Sequence, residues 1–220
     1  MQEVKQFQKN GNTVEYFIDY PEGYAPNKKY PVIIYLHGYG CVKKDMNHLR
    51  KFCPVSRDRI PQDMPFIIVA PLCDEHCWLF KFETMCAFFQ TIISMEGSDA
   101  ERIYLCAVSM GTYSSWYFLL AHKEWFAAAV LCCGAGPYWA GFLYEKFPVR
   151  LIHATQDKSV CCRDSEIMAQ RINDSGGNAE LIIYNDLDPD VAHDVWTRTF
   201  TNPETYEWLL SHINQIGRNK

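Results

Sequence analysis

The chain has 220 residues, 48% of them hydrophobic and 15% aromatic, enough for one sizeable core in a single α/β domain over 1–220. Lys+Arg 21 against Asp+Glu 26 gives a formal net charge of −5, and with no basic stripe this excludes nucleic acid as an expected partner. No run approaches the roughly 18 apolar residues that span a bilayer, and Met1–Gln6 lacks the charged-then-apolar pattern of a secretory leader, so the expectation is a cytoplasmic protein without a membrane partner.

Along the chain, apolar runs of strand length alternate with longer helical patterns. Val14–Ile18 reads as an early strand before the turn Pro21-Glu22-Gly23. Val32–Leu36, Phe66–Ala70 and Ile103–Ala107 follow, rich in β-branched residues as strands covered on both faces are. Ala128–Cys132, Val149–His153 and Leu181–Tyr184 continue the series. Helices are predicted around Lys44–Phe52, Phe80–Ile93, Ser109–His122 and Ser165–Asn173, the last of these ended by Gly176-Gly177. A final helix starts at Pro203 with Asn202 as its cap. This alternation implies βαβ crossovers and a mainly parallel, doubly wound sheet with helices on both faces. Only the stretch Gly134–Phe147 is free between two of the strands, too short for a large lid.

Ala107-Val108-Ser109-Met110-Gly111 stands between a buried strand and a helix. A nucleophilic serine occupies such a sharp strand-to-helix turn, which needs small residues two before and two after it. Ser109 as a simple helix N-cap is the plain alternative. His37-Gly38-Tyr39-Gly40 follows an earlier strand, where a Gly-rich loop can aim a backbone N–H at a developing oxyanion. The N–H groups of Tyr39 and Met110 are the candidate oxyanion hole, with His37 as a structural member of the loop. Asp157 lies just past the strand Val149–His153, and His193 lies between the last strand and the final helices. Their order, Ser then Asp then His, is that of a serine hydrolase whose catalytic groups gather at strand C-termini. Asp188, Asp190 and Asp194 read as loop charges. Trp78, Tyr138 and Trp139 are candidate substrate-binding aromatics.

Ten cysteines are read mainly as small buried residues kept reduced. A zinc site drawn from Cys73, His76, Cys77 and Cys86 is the minor alternative, since paired CxxC knuckles are missing. No metal and no cofactor are expected.

With these residues together, Tyr35–Gly40, Arg102–Gly111 and His193–Trp196 followed by Asn202-Pro203-Glu204 resemble the esterase and predicted-peptidase branch of the α/β-hydrolases. That branch is similar to feruloyl esterases, polyhydroxybutyrate-depolymerase-like esterases and prolyl-oligopeptidase-type catalytic domains. The resemblance runs from about Tyr16 to Leu210. It implies the α/β-hydrolase fold, catalytic Ser109, Asp157 and His193, and an oxyanion hole from Tyr39 and Met110. Ala107 and Thr112 stand where the family usually has Gly. The expected activity is hydrolysis of small or aromatic acyl esters, feruloyl or cinnamoyl esters among them, with a small-molecule ester as partner. The alternatives are a serine peptidase or thioesterase on the same fold, or a non-catalytic binding protein. The oligomeric state does not follow from the sequence.

Overall fold

The computed structural model describes residues 2–214. Eight strands form one sheet in the order β1-β2-β4-β3-β5-β6-β7-β8. These are β1 (Gln2–Lys9), β2 (Asn12–Asp19), β3 (Tyr30–Leu36), β4 (Ile67–Pro71), β5 (Ser98–Val108), β6 (Ala128–Cys132), β7 (Val149–Ala154) and β8 (Ala179–Tyr184). β1 pairs antiparallel with β2, and β2 antiparallel with β4. From β4 onward every pairing is parallel, in line with the mainly parallel sheet expected.

The β1–β2 hairpin is an addition to the sequence reading. Its turn, Asn10-Gly11, has φ of 51° and 78°, the left-handed pair that a tight two-residue hairpin demands.

Among the described residues six α-helices flank the sheet: α1 (Met46–Phe52), α2 (Phe82–Ser94), α3 (Met110–His122), α4 (Cys162–Asp174), α5 (Val195–Thr201) and α6 (Pro203–Leu210). Alternation along each strand sorts the core into two layers. Val32, Ile34 and Leu36 face one layer with Phe88 and Phe89 of α2, Trp116 and Phe118 of α3, and Met168 and Ile172 of α4. Ile33 and Tyr35 face the other, with Leu49 of α1, Val195 and Phe200 of α5, and Tyr206 and Leu209 of α6. The interior strands are apolar on both faces because both faces are covered.

The chain runs from β3 outward to β4, then crosses back to β5 on the other side of β3. Strand order reverses there, which opens a crevice at the C-terminal ends of β3 and β5.

Candidate active site

Four segments leave the C-terminal edge of the sheet and meet above this crevice. Ser109 follows β5 and opens α3. Its backbone has φ 50° and ψ −118°, a conformation that L-residues avoid at a cost of about 1–3 kcal/mol. Neighbouring structure holds it there. The Ser109 N–H donates to the Cys132 carbonyl (3.0 Å), and the Tyr113 N–H donates to the Ser109 carbonyl (3.1 Å). Thr112 ties the same turn down, its hydroxyl donating to the Cys132 carbonyl at 2.7 Å.

The turn also depends on Gly111. A Cβ there would lie 2.1 Å from the carbonyl oxygen of Leu36, so α3 starts in direct backbone contact with β3. The side chain of Ser109 makes no capping hydrogen bond to α3. Its Oγ lies instead 3.1 Å from Nε2 of His193, which disposes of the N-cap reading.

His193 sits on the segment between β8 and α5, where Asp194 caps α5 by accepting from the Thr197 N–H. The His193 ring is 27% exposed, and its Nδ1 lies 2.8 Å from Oδ2 of Asp157. With a carboxylate as that neighbour, Nδ1 carries the proton and Nε2 is free to accept one. The edge of Trp196 packs against the imidazole at 5.3 Å between centroids.

Asp157 lies three residues past β7 with its side chain fully buried. Its Oδ1 accepts the N–H groups of Ser159 (2.7 Å) and Val160 (3.0 Å). Burial alone would push the carboxyl up; hydrogen bonds from His193, Val160 and Ser159 and the attraction of a charged His193 outweigh it and hold the group below its ordinary value. The residue is therefore an anion wherever the imidazole is in use.

The fourth segment is His37–Gly40, after β3. A Cβ on Gly38 would lie 3.2 Å from the Ser109 Cβ, so this loop abuts the serine turn. His37 is a brace within it. Its Nδ1–H donates to the Gly38 carbonyl (2.8 Å), and its Nε2 accepts the Cys73 N–H (2.9 Å). Burial pushes the imidazole down to about 4, which keeps it neutral. Tyr39 opens a 3-10 turn and Met110 opens α3, so both N–H groups stand at helical starts, where no acceptor exists within the helix.

Trp78 requires a correction. Read from sequence as a substrate-binding aromatic, it is 2% exposed. Its indole N–H donates to the His37 carbonyl at 3.1 Å, and the two rings pack at 4.8 Å. It supports the Gly-rich loop from below and offers no free face to a ligand. Tyr138 and Trp139 do lie on the surface, 56% and 66% exposed, as does Tyr39.

The sequence reading also missed His153. This residue of β7 is completely buried, with Nε2 3.2 Å from the same Oδ2 of Asp157 that faces His193. The alternative zinc set is not assembled. Among the described residues the one group of three or more His, Cys, Asp or Glu ligand atoms within 4.8 Å is Cys133, Asp157 and His193. Burial pushes the Cys133 thiol well above its ordinary value. All ten cysteines are free. No helix among the described residues is long and apolar enough to cross a membrane.

No protein-family profile matches this sequence, and no curated relative is similar to it. Solved structures do match. A thermostable esterase superposes with a TM-score of 0.85 at 24% identity, over 96% of this chain and 63% of that one. This is the α/β-hydrolase fold. A candidate dienelactone hydrolase from Klebsiella pneumoniae shares the α/β-hydrolase architecture with TM-score 0.66 and 16% identity, over 96% of this chain and 95% of that chain. Porphyromonas gingivalis dipeptidyl peptidase 4 matches with TM-score 0.74 and 12% identity, over 96% of this chain. The α/β-hydrolase unit described here spans 63% of the esterase chain and 35% of the peptidase chain.

Proposed function

We propose that this chain is a serine carboxylesterase. The observation that carries the reading is the succession Ser109 Oγ, His193 and Asp157, with contacts of 3.1 and 2.8 Å, on a strained strand-to-helix turn. Residues 84 and 36 positions apart converge with a hydroxyl beside the free nitrogen of an imidazole and a carboxylate behind it. That arrangement activates a nucleophile.

In the proposed reaction Ser109 gives its proton to His193 Nε2 as its oxygen bonds to the ester carbonyl carbon. Negative charge moves to the carbonyl oxygen, which the N–H groups of Tyr39 and Met110 receive, each worth on the order of 3 kcal/mol. The tetrahedral species collapses, the C–O bond to the alcohol breaks, and His193 returns the proton to the leaving oxygen. Water then attacks the acyl-enzyme with His193 again as base, which releases the acid and restores Ser109. Every proton passes through one imidazole, so no cofactor is required.

Tyr39, on the loop that abuts the serine turn, and Tyr138 and Trp139, on the segment after β6, are exposed rings available to a substrate. Aromatic faces of this kind favour small or aromatic acyl groups, feruloyl and cinnamoyl esters among them. The likeness in fold to an esterase supports the same choice. A peptidase reading draws on the likeness to dipeptidyl peptidase 4. Ten unpaired cysteines, most of them buried, suit a reducing compartment and support a cytoplasmic location.

Two measurements test this. A fluorophosphonate should add one adduct mass to Ser109 and none to Ser109→Ala. A panel of a p-nitrophenyl ester, methyl ferulate, a palmitoyl thioester and a peptide anilide should show the esters turned over fastest. No adduct on the wild type would refute the nucleophile. Dominant peptide turnover would move the assignment to peptidase.

A further inference from the structure

Asp157 is held by more donors than the three-residue array needs. Oδ1 takes two backbone N–H groups and Oδ2 takes His193. His153 supplies a fourth contact, from β7 beneath the carboxylate, with its Nε2 3.2 Å from Oδ2 and 3.1 Å from the Val160 carbonyl. Both neighbours of Nε2 only accept hydrogen bonds, so this nitrogen must carry the proton. On the other side of the ring, Nδ1 lies 2.7 Å from the Ser165 hydroxyl, which also lies 3.3 Å from the Gly134 carbonyl. The ring is fully buried and burial lowers its affinity for a second proton, which keeps it a neutral, one-directional donor.

Resting on the serine-hydrolase reading above, we propose that His153 is a positioning residue whose Nε2–H shares Asp157 Oδ2 with His193 and thereby sets how strongly His193 holds its proton. Two imidazole N–H groups compete for one carboxylate oxygen. The second donor fills the remaining lone-pair direction and stops the carboxylate from swinging toward a single partner. It also drains basicity from Oδ2, so that the imidazolium of His193 is stabilised less than it would be by an unshared carboxylate. The array then stays in its base form to lower pH.

Other ionisable groups facing the pair do not provide this. Cys133 at the end of β6, Tyr113 on α3 and Cys162 on α4 are all pushed upward by burial and stay uncharged near neutrality. Asp164 on α4 and Asp194 beside His193 are carboxylates and would act in the opposite sense. The exposed pair Lys158–Asp190 flanks the same loop.

The test is the acid limb of kcat/KM against pH for an activated ester, in wild type, His153→Leu and His153→Gln. Losing one hydrogen bond to the carboxylate should move the limb of His153→Leu upward by about half a pH or more. His153→Gln, whose amide can again reach Oδ2, should move it back toward wild type. An unmoved or lowered limb in a His153→Leu protein that still turns over ester overturns the proposal. Should that variant not fold, nitrogen-15 NMR of the wild-type histidines decides. Nε2–H on His153 from pH 5 to 8 is the expected result, and an Nδ1–H or charged ring overturns it. Failure of the underlying reading has a different signature: wild type would take no fluorophosphonate adduct at Ser109.

Discussion

Gly111→Ala adds a single methyl group and should dismantle the site. That carbon would stand 2.1 Å from the Leu36 carbonyl oxygen and 2.7 Å from its carbon. The first distance is more than 1 Å short of the 3.4 Å at which ordinary contact begins. Both atoms are backbone of a central strand and cannot rotate away, so the start of α3 must move by about 1 Å. Overpacking of a rigid core costs about 1–3 kcal/mol, and the absence of any flexible neighbour puts this variant at the upper end. The same displacement carries Ser109 Oγ and the Met110 N–H with it. A misplacement of about 1 Å in a catalytic group can cost about 100-fold in rate. Urea unfolding followed by tryptophan fluorescence, together with p-nitrophenyl ester turnover, measures both effects. Gly40→Ala is the control, because nothing lies within 4 Å of its Cβ position, and it should leave stability within about 0.5 kcal/mol. A Gly111→Ala protein with an unchanged urea midpoint and full turnover would refute the claim that backbone contact between β3 and α3 sets the serine turn.

Ser109→Gly should raise the melting temperature by about 2–4 °C, as expected for about 1 kcal/mol in a chain of this size, because glycine accepts φ 50° freely. Calorimetry should show that gain alongside loss of ester turnover, and a lowered melting temperature would argue against strain at this turn. Trp78→Phe leaves the buried His37 carbonyl without its donor and should cost about 1–3 kcal/mol and lower kcat more than it raises KM. Wild-type values in both readouts would make Trp78 a mere filler. Stability should fall as pH drops from 6.5 to about 4, since an unfolded His37 takes a proton near 6.5 but the buried ring only at about 4. The unfolded state binds more protons in that window, a loss of up to about 3 kcal/mol from this residue. His153, also lowered by burial, acts with the same sign. Urea midpoints at pH 7 and 4.5 test this, and His37→Gln should flatten the difference; equal wild-type midpoints would refute it.

Much of the site is legible in the sequence because its pieces follow strands that announce themselves. Val32–Leu36 and Ile103–Ala107 are apolar on both faces, and the polar breaks after them carry His37–Gly40 and Ser109. Asp157 and His193 follow from the same logic of strand ends. What was missed lacks such contrast. β1 is largely polar with its side chains mostly outward, and its only signal is the Asn10-Gly11 turn. α5 has seven residues, too short for a helical period to stand out. α4 starts at Cys162, three residues before the sequence reading places it, since no side chain caps it. Neither the burial of Trp78 nor the bond from His153 to Asp157 can be read locally. Both depend on which neighbours the sheet supplies from β3, β4 and β7.

The strained turn at Ser109 has a consequence for biogenesis. Its conformation is held by the carbonyl of Cys132 on β6, and its base arrives only with residue 193. A ribosome-bound chain that has exposed Ser109 alone has no reason to keep φ near 50° and no imidazole to deprotonate the hydroxyl. For the proposed esterase, nucleophilicity at Ser109 should therefore switch on late and all at once, when the strands on either side have docked.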